Sequence, residues 1–313
     1  VNDRLKFDES TVSDQKRLVR GEQLQFARSR LRVRDGVHHR PWRILILAGG
    51  APKGEVNTIR EVMPKAYIVA VDRDSRCLDA AIEAGVDDII LCDLADFTIP
   101  LTKSGKPSAK RYPSAPLREL SGQFDIVHLD LCAGVNSQTR LVTSVNSQLV
   151  SPRGVLIVTF SFGRDVVEIF REPANQSRAP KWLSLAGADP TLCGRIGYLF
   201  GFPYMPGIKH PPPDRIRSVF VYRGAEMPMC SVLLQGCREW GVEEGGSFVK
   251  VEPGDFELAV TCPDPSRLYD CPQERIESLR RQHAAMKAVY TRRSAPKAVS
   301  PATIASESQG RLM

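Results

Sequence analysis

Between Arg43 and Asp93 three strand-length apolar runs follow one another at helix-length spacing: Ile44 to Leu47, Tyr67 to Val71 and Asp88 to Leu91. Runs that are apolar on both faces fit a parallel sheet covered by helices, and parallel neighbours need a crossover helix between them. Each run also ends in a residue suited to a nucleoside. The first stops at Ala48, Gly49 and Gly50 and continues through Ala51, Pro52, Lys53 and Gly54. Such a Gly-rich turn leaves backbone N–H groups free at a helix mouth, where a ligand can approach closely. The second run ends in Asp72 and the third leads into Asp93. An ionised Asp has two acceptor oxygens and no donor, so Asp72 suits both hydroxyls of a ribose and Asp93 the exocyclic amine of an adenine.

The same alternation continues. Gly54 to Val62 and Asp74 to Glu83 read as helices, stopped by Pro64 and Gly85. Phe124 to Asp130 is a fourth strand, Ser137 to Leu149 a helix and Arg153 to Ser161 a fifth strand. Arg215 to Tyr222 and Met229 to Leu234 are β-rich and joined by a short link, which predicts an antiparallel hairpin. The fold class is therefore α/β: a mostly parallel doubly wound sheet with a C-terminal antiparallel hairpin, in one main domain over residues 42–237. Two stretches interrupt it, a basic loop at 98–121 with Lys103, Lys106, Lys110 and Arg111, and a Pro/Gly/aromatic cover segment at 172–214. Outside it lie a basic helical extension over 1–41, a C-terminal extension over 238–291 with a helix from Gln273 to about Tyr290, and a Ser/Ala/Pro-rich tail over 292–313 whose composition predicts disorder.

Composition narrows the function classes. No apolar stretch reaches membrane-spanning length and the first residues are charged, so a soluble, cytoplasmic chain with no membrane partner is expected. Eight cysteines lack C-x-x-C spacing, which predicts reduced, buried thiols and no metal site. The net charge of +7 is placed unevenly: residues 1–43 carry 11 Lys and Arg against 6 Asp and Glu, residues 271–313 carry 8 against 3, and the middle of the chain is slightly acidic. Local positive density at the ends and in the 98–121 loop fits a polyanion such as nucleic acid, or docking to protein assembly partners.

A parallel sheet with a Gly loop after strand one, acids after strands two and three and a terminal hairpin resembles the class I S-adenosylmethionine-dependent methyltransferases, over roughly Ile44 to Gln235. The resemblance implies that Ala48, Gly49 and Gly50 line the methionine part of S-adenosylmethionine, that Asp72 holds its ribose, and that Asp93 and Leu94 frame its adenine. Asp130 falls where the family's strand-four motif faces the reactive methyl group. The chain departs from the family at strand one, where Ile44 to Leu47 carry no acid, and in a longer glycine loop containing Lys53.

Methyl transfer is an in-line displacement, so the protein aligns a nucleophile and takes its proton if it has one. Asp130 and His128, two apart and on one face of a strand, are the candidates for that role. Asp130-Leu-Cys-Ala-Gly134 lacks the prolines and aromatic that amino-methylating DNA enzymes use, and Cys132 follows Leu131 instead of the proline that precedes the nucleophile of cytosine-C5 enzymes. Lys53 and Lys181 are candidates for a lysine partner in ribose 2′-O transfer. Two functional readings remain: a methyltransferase acting on RNA or DNA, and a catalytically inactive methyltransferase-like fold serving as a binding or assembly module. A nicotinamide dehydrogenase is disfavoured by the absence of a regular G-x-G-x-x-G pattern.

Overall fold

The computed structural model describes residues 14–32, 41–49, 51–94, 124–131, 134–135, 141–142, 145, 149–162, 167–200, 215–224, 227–235 and 246–252, with 281 and 284. Gly50, Cys132, the 98–121 loop, most of the helix expected at 137–149, residues 201–214, the terminal helix (281 and 284 apart) and the tail lie outside the described residues.

The three apolar runs form β1 (Arg43–Leu47), β2 (Tyr67–Asp72) and β3 (Asp88–Leu91), and the later ones β4 (Phe124–Asp130) and β5 (Val150–Ser161). These five are parallel, with β2 pairing β1 and β3, and β4 pairing β1 and β5. The expected hairpin is β6 (Ile216–Arg223) and β7 (Pro228–Gln235), inserted antiparallel beside β5. An eighth strand, β8 (Ser247–Lys250), pairs in parallel with β6 and was not anticipated. The order across the sheet is β3-β2-β1-β4-β5-β7-β6-β8. The mostly parallel doubly wound sheet with a C-terminal antiparallel hairpin is thus present, as the methyltransferase resemblance implies.

Because the pleat sends alternate residues to opposite faces, each strand feeds two cores. Ile44, Ile46, Ile68, Ala70, Ile126 and Ile157 meet α1 (Asp14–Arg32), α2 (Pro52–Val62) and α3 (Ser75–Glu83). Leu45, Val69, Val127, Leu129, Leu156 and Val158 pack on the other side with Phe170, Leu192, Ile196 and Leu199. Local chemistry sets the helix starts. Pro52 opens α2, where a missing N–H costs nothing. The Asp74 side chain caps α3 by accepting from Arg76 N at 2.9 Å. Asp189 Oδ1 accepts from Thr191 N at 2.8 Å and Leu192 N at 3.0 Å at the start of a later helix.

That later helix changes the reading of the cover segment. Residues 167–200 hold four helices, α4 (Val167–Arg171), α5 (Pro173–Gln176), α6 (Lys181–Leu185) and α7 (Pro190–Phe200). Gly194 and Gly197 are not loop residues but the contact stripe of α7. A Cβ at Gly194 would stand 1.8 Å from Phe170 O, and one at Gly197 1.8 Å from Asn175 O, so α4 and α5 cross α7 at backbone contact. Among the described residues no helix is long and apolar enough to cross a membrane.

The Gly194→Ala variant must push α4 off α7. Overpacking of this kind costs about 1–3 kcal/mol, and a urea titration is expected to show a midpoint lowered accordingly; an unchanged midpoint would mean that α4 yields freely.

Candidate functional site

The strand order reverses between β1 and β4: β2 and β3 extend the sheet to one side and β5 to the other. Such a reversal leaves a crevice outside the carboxyl ends of the two strands, because their crossover helices depart to opposite faces. One lip of it is the turn from Ala48 to Ala51, leading into α2. The other is Asp130, the last residue of β4, two past the pairing of Ile46 with His128.

On the first lip the glycine turn and the strand-two acid are joined. Gly49 has φ of +56°, a left-handed conformation that side chains resist, and nothing lies within 4 Å of where its Cβ would be. The turned backbone aims Gly49 N–H at Asp72 Oδ2, 3.0 Å away, while Asp74 N–H reaches Asp72 Oδ1 at 2.8 Å. Each Asp72 oxygen therefore accepts one backbone N–H, and the Cys77 thiol also hydrogen-bonds the carboxylate. Two donors fix the plane of the carboxylate, and the space over Gly49 is open, so this pair fits a nucleoside ribose held against the turn. Asp93 sits beyond it, in a 3.3 Å ion pair with the exposed Arg73, and Leu94 is buried. Cys77, close by, is inert as a nucleophile: burial and the anions of Asp72 and Asp74 push its thiol up to about 12.

On the second lip Asp130 is engaged from below by α1. Lys16 Nζ lies 2.6 Å and Arg20 Nη2 2.7 Å from the same oxygen, Asp130 Oδ2. The Arg20 nitrogen also stands 3.5 Å from Glu55 Oε2, in the first turn of α2. The other Glu55 oxygen contacts His128 Nδ1. Arg20, Glu55 and His128 are all buried. Burial works against ionising Glu55, but His128 and Arg20 outweigh it and hold the carboxyl below its usual range. An ionised Glu55 can only accept, so His128 Nδ1 donates. Burial likewise raises Asp130, and Lys16 and Arg20 overcome it, holding the group far below the ordinary carboxylate range. Asp130 is thus a fixed anion, and a carboxylate so strongly favoured in its charged form is a weak proton acceptor.

Of the expected residues, the structure brings Ala48, Gly49 and Asp72 to one lip and Asp130 to the other, whereas His128, 2% exposed, is a core residue held by Glu55 and not a group open to a substrate. Asp125, by contrast, lies at the far end of β4, where it accepts from Arg43 N at 2.9 Å. Sequence reasoning missed Lys16, Arg20 and Glu55. A signal existed: Lys16, Val19, Arg20, Gln23, Leu24, Ala27 and Leu31 form one helical stripe, and cations inside an inward stripe need buried anions. Gln23 follows the same logic, since its Oε1 accepts from Ser231 Oγ at 2.8 Å, as does Gln15, whose Oε1 accepts from Arg223 N at 2.8 Å.

No protein-family model matches the chain, and no curated protein does. Among solved structures it is similar to a predicted O-methyltransferase from Agrobacterium tumefaciens, with 11% identity, 73% of this chain and 84% of that one covered, and a TM-score of 0.37. It is similar to a precorrin-6y C5,15-methyltransferase from Geobacter metallireducens, with 11% identity, coverage of 75% and 95%, and a TM-score of 0.37. A probable spermidine synthase from Corynebacterium glutamicum is a third neighbour, with 11% identity, coverage of 71% and 65%, and a TM-score of 0.36.

The depressed carboxylates give stability a signed pH dependence. Folded values lie below the unfolded ones, about 3.9 for Asp and 4.3 for Glu, so their contribution is complete above that range and is lost progressively as pH falls from it to the folded values. Asp130→Asn is expected to cost about 3–5 kcal/mol at pH 7, the usual effect of removing one partner from a buried pair. The variant should also lose less stability than the wild type between pH 5 and about pH 3, read by urea midpoints; parallel pH profiles would contradict the assignment.

Proposed function

We propose that this chain is an S-adenosylmethionine-dependent methyltransferase whose acceptor is a nucleic acid. The observation that carries the cofactor part is the Gly49–Asp72 pair at the switch point of the sheet, with open space above Gly49 and a carboxylate oriented by two backbone donors. Asp72 would hold the ribose hydroxyls, Ala48 and Gly49 would line the methionine part, and Asp93 with Leu94 would border the adenine. To receive an adenine amine, Asp93 shares its carboxylate with the exposed Arg73 or exchanges partners. When bound, the cofactor supplies a sulfonium methyl group for in-line displacement.

The chain's residues do the aligning. The turn and Asp72 fix one reactant, and the β4 tip borders the other. Asp130, already neutralised by Lys16 and Arg20, favours an acceptor that brings its own lone pair, such as a ring nitrogen of a base, over one that must surrender a proton. The nucleic-acid part rests on the positive density of residues 1–43, 98–121 and 271–313. The locked Asp130 also favours a second reading, a methyltransferase fold kept as a binding module, in which the crevice carries no turnover.

Calorimetric titration with S-adenosylmethionine and S-adenosylhomocysteine tests the cofactor part. Saturable heat is expected for the wild type, with loss of at least tenfold in affinity in Asp72→Ala and a smaller loss in Asp72→Asn, which keeps one acceptor oxygen for the turn. No heat and no thermal shift at millimolar ligand would leave the binding module. Single-stranded RNA and DNA, titrated at two salt concentrations, test the acceptor class; absence of salt-sensitive binding would remove nucleic acid from the proposal.

A further inference from the structure

We infer that Arg20, which precedes the glycine turn by nearly thirty residues, is a positioning residue for the crevice: it sets the distance between the α2 mouth and the β4 tip. Three facts converge on it. Its guanidinium reaches both lips from a third element, α1, through Asp130 at 2.7 Å and Glu55 at 3.5 Å. Glu55 lies in the first turn of α2, three residues after Pro52, so a pull on its side chain is a pull on the backbone that leaves the glycine turn. His128 and Asp130 are two apart on one strand, and Glu55 holds the first while Arg20 holds the second. The contacts close a ring, Arg20 to Glu55 to His128, along β4 to Asp130, and back to Arg20. A closed ring of buried contacts has fewer ways to drift than an open chain, since any displacement of α2 relative to β4 lengthens a charged contact in a medium that penalises it.

Arg20 is buried, and its role is to act through Glu55. For what the crevice receives, the inference rests on the cofactor reading above; for the geometry itself it does not.

Hydrogen exchange on the ligand-free full chain tests the geometry directly. In Arg20→Met, peptides covering residues 48–56 are expected to exchange at least tenfold faster, with α3 (residues 75–83) unchanged. Arg20→Lys, which keeps a cation on a stem of similar reach, should restore most of the protection. A double variant, Arg20→Met with Glu55→Gln, removes the buried charge that Arg20 no longer balances while leaving His128 an acceptor, and should recover the melting temperature while the turn stays fast. Uniform acceleration across the chain, unchanged exchange at 48–56, or recovery of turn protection together with melting temperature in the double variant would each overturn the inference. S-adenosylhomocysteine titration of the same proteins then separates the two ideas. Tenfold weaker binding in Arg20→Met, with rescue in Arg20→Lys, supports both, whereas no binding by the wild type defeats the cofactor reading and leaves the exchange data to decide the positioning role.

Discussion

The buried ring of Arg20, Glu55, His128 and Asp130 ties together three elements that also share one apolar core: a helix before the sheet, the helix after its first strand, and its fourth strand. Charges taken out of water are expensive, and each member is tolerable only because the others are present. Arg20 also leaves Nε and Nη1 without partners among the described residues, and Asp130 leaves Oδ1 so. An apolar interface would hold the same elements together at lower cost. What a charged one adds is register, because a misplaced cation among carboxylates is penalised where a misplaced leucine is merely less well packed.

The rest of α1 shows that this arrangement is permanent. Val19, Leu24, Ala27 and Leu31 are buried with the charged residues. Complete burial of a Val or Leu side chain is worth about 1.5–3 kcal/mol, so lifting the helix to free Asp130 would forfeit several such terms besides the ion pairs. The helix shares its core with β1, through Leu24, Ala27 and Leu31 beside Ile44 and Ile46. Strands β1 to β3, between Arg43 and Leu91, and the hairpin, in contrast, stand where their patterns put them.

Legibility followed the physics of each signal. The five parallel strands were readable because burial on both faces imposes runs such as Ile44 to Leu47, and the hairpin because Arg223 to Met227 is short. The strand-two acid was readable from its place after Val71, and the structure adds why its carboxylate has one orientation. The α7 helix was hidden because Gly194 and Gly197 carry the same letters as a loop; only the neighbouring backbones of Phe170 and Asn175 reveal a packing stripe. The role of Asp130 was hidden for a related reason. A carboxylate at a strand tip looks the same whether it faces a substrate or a cation from 110 residues away, and partners that distant leave no local trace. Strand β8 is four residues long, too short to impose a period.

The first turn of α1 sits over the carboxyl ends of β4 and β6, where Lys16 meets Asp130 and Gln15 meets the backbone of Arg223. The chain ahead of Asp14 is therefore tethered at the rim of the crevice and not at the opposite end of the sheet. Arg4 and Lys6 stand 10 and 8 residues ahead of Asp14, so neither can lie farther from that rim than the span of ten fully extended residues, about 36 Å.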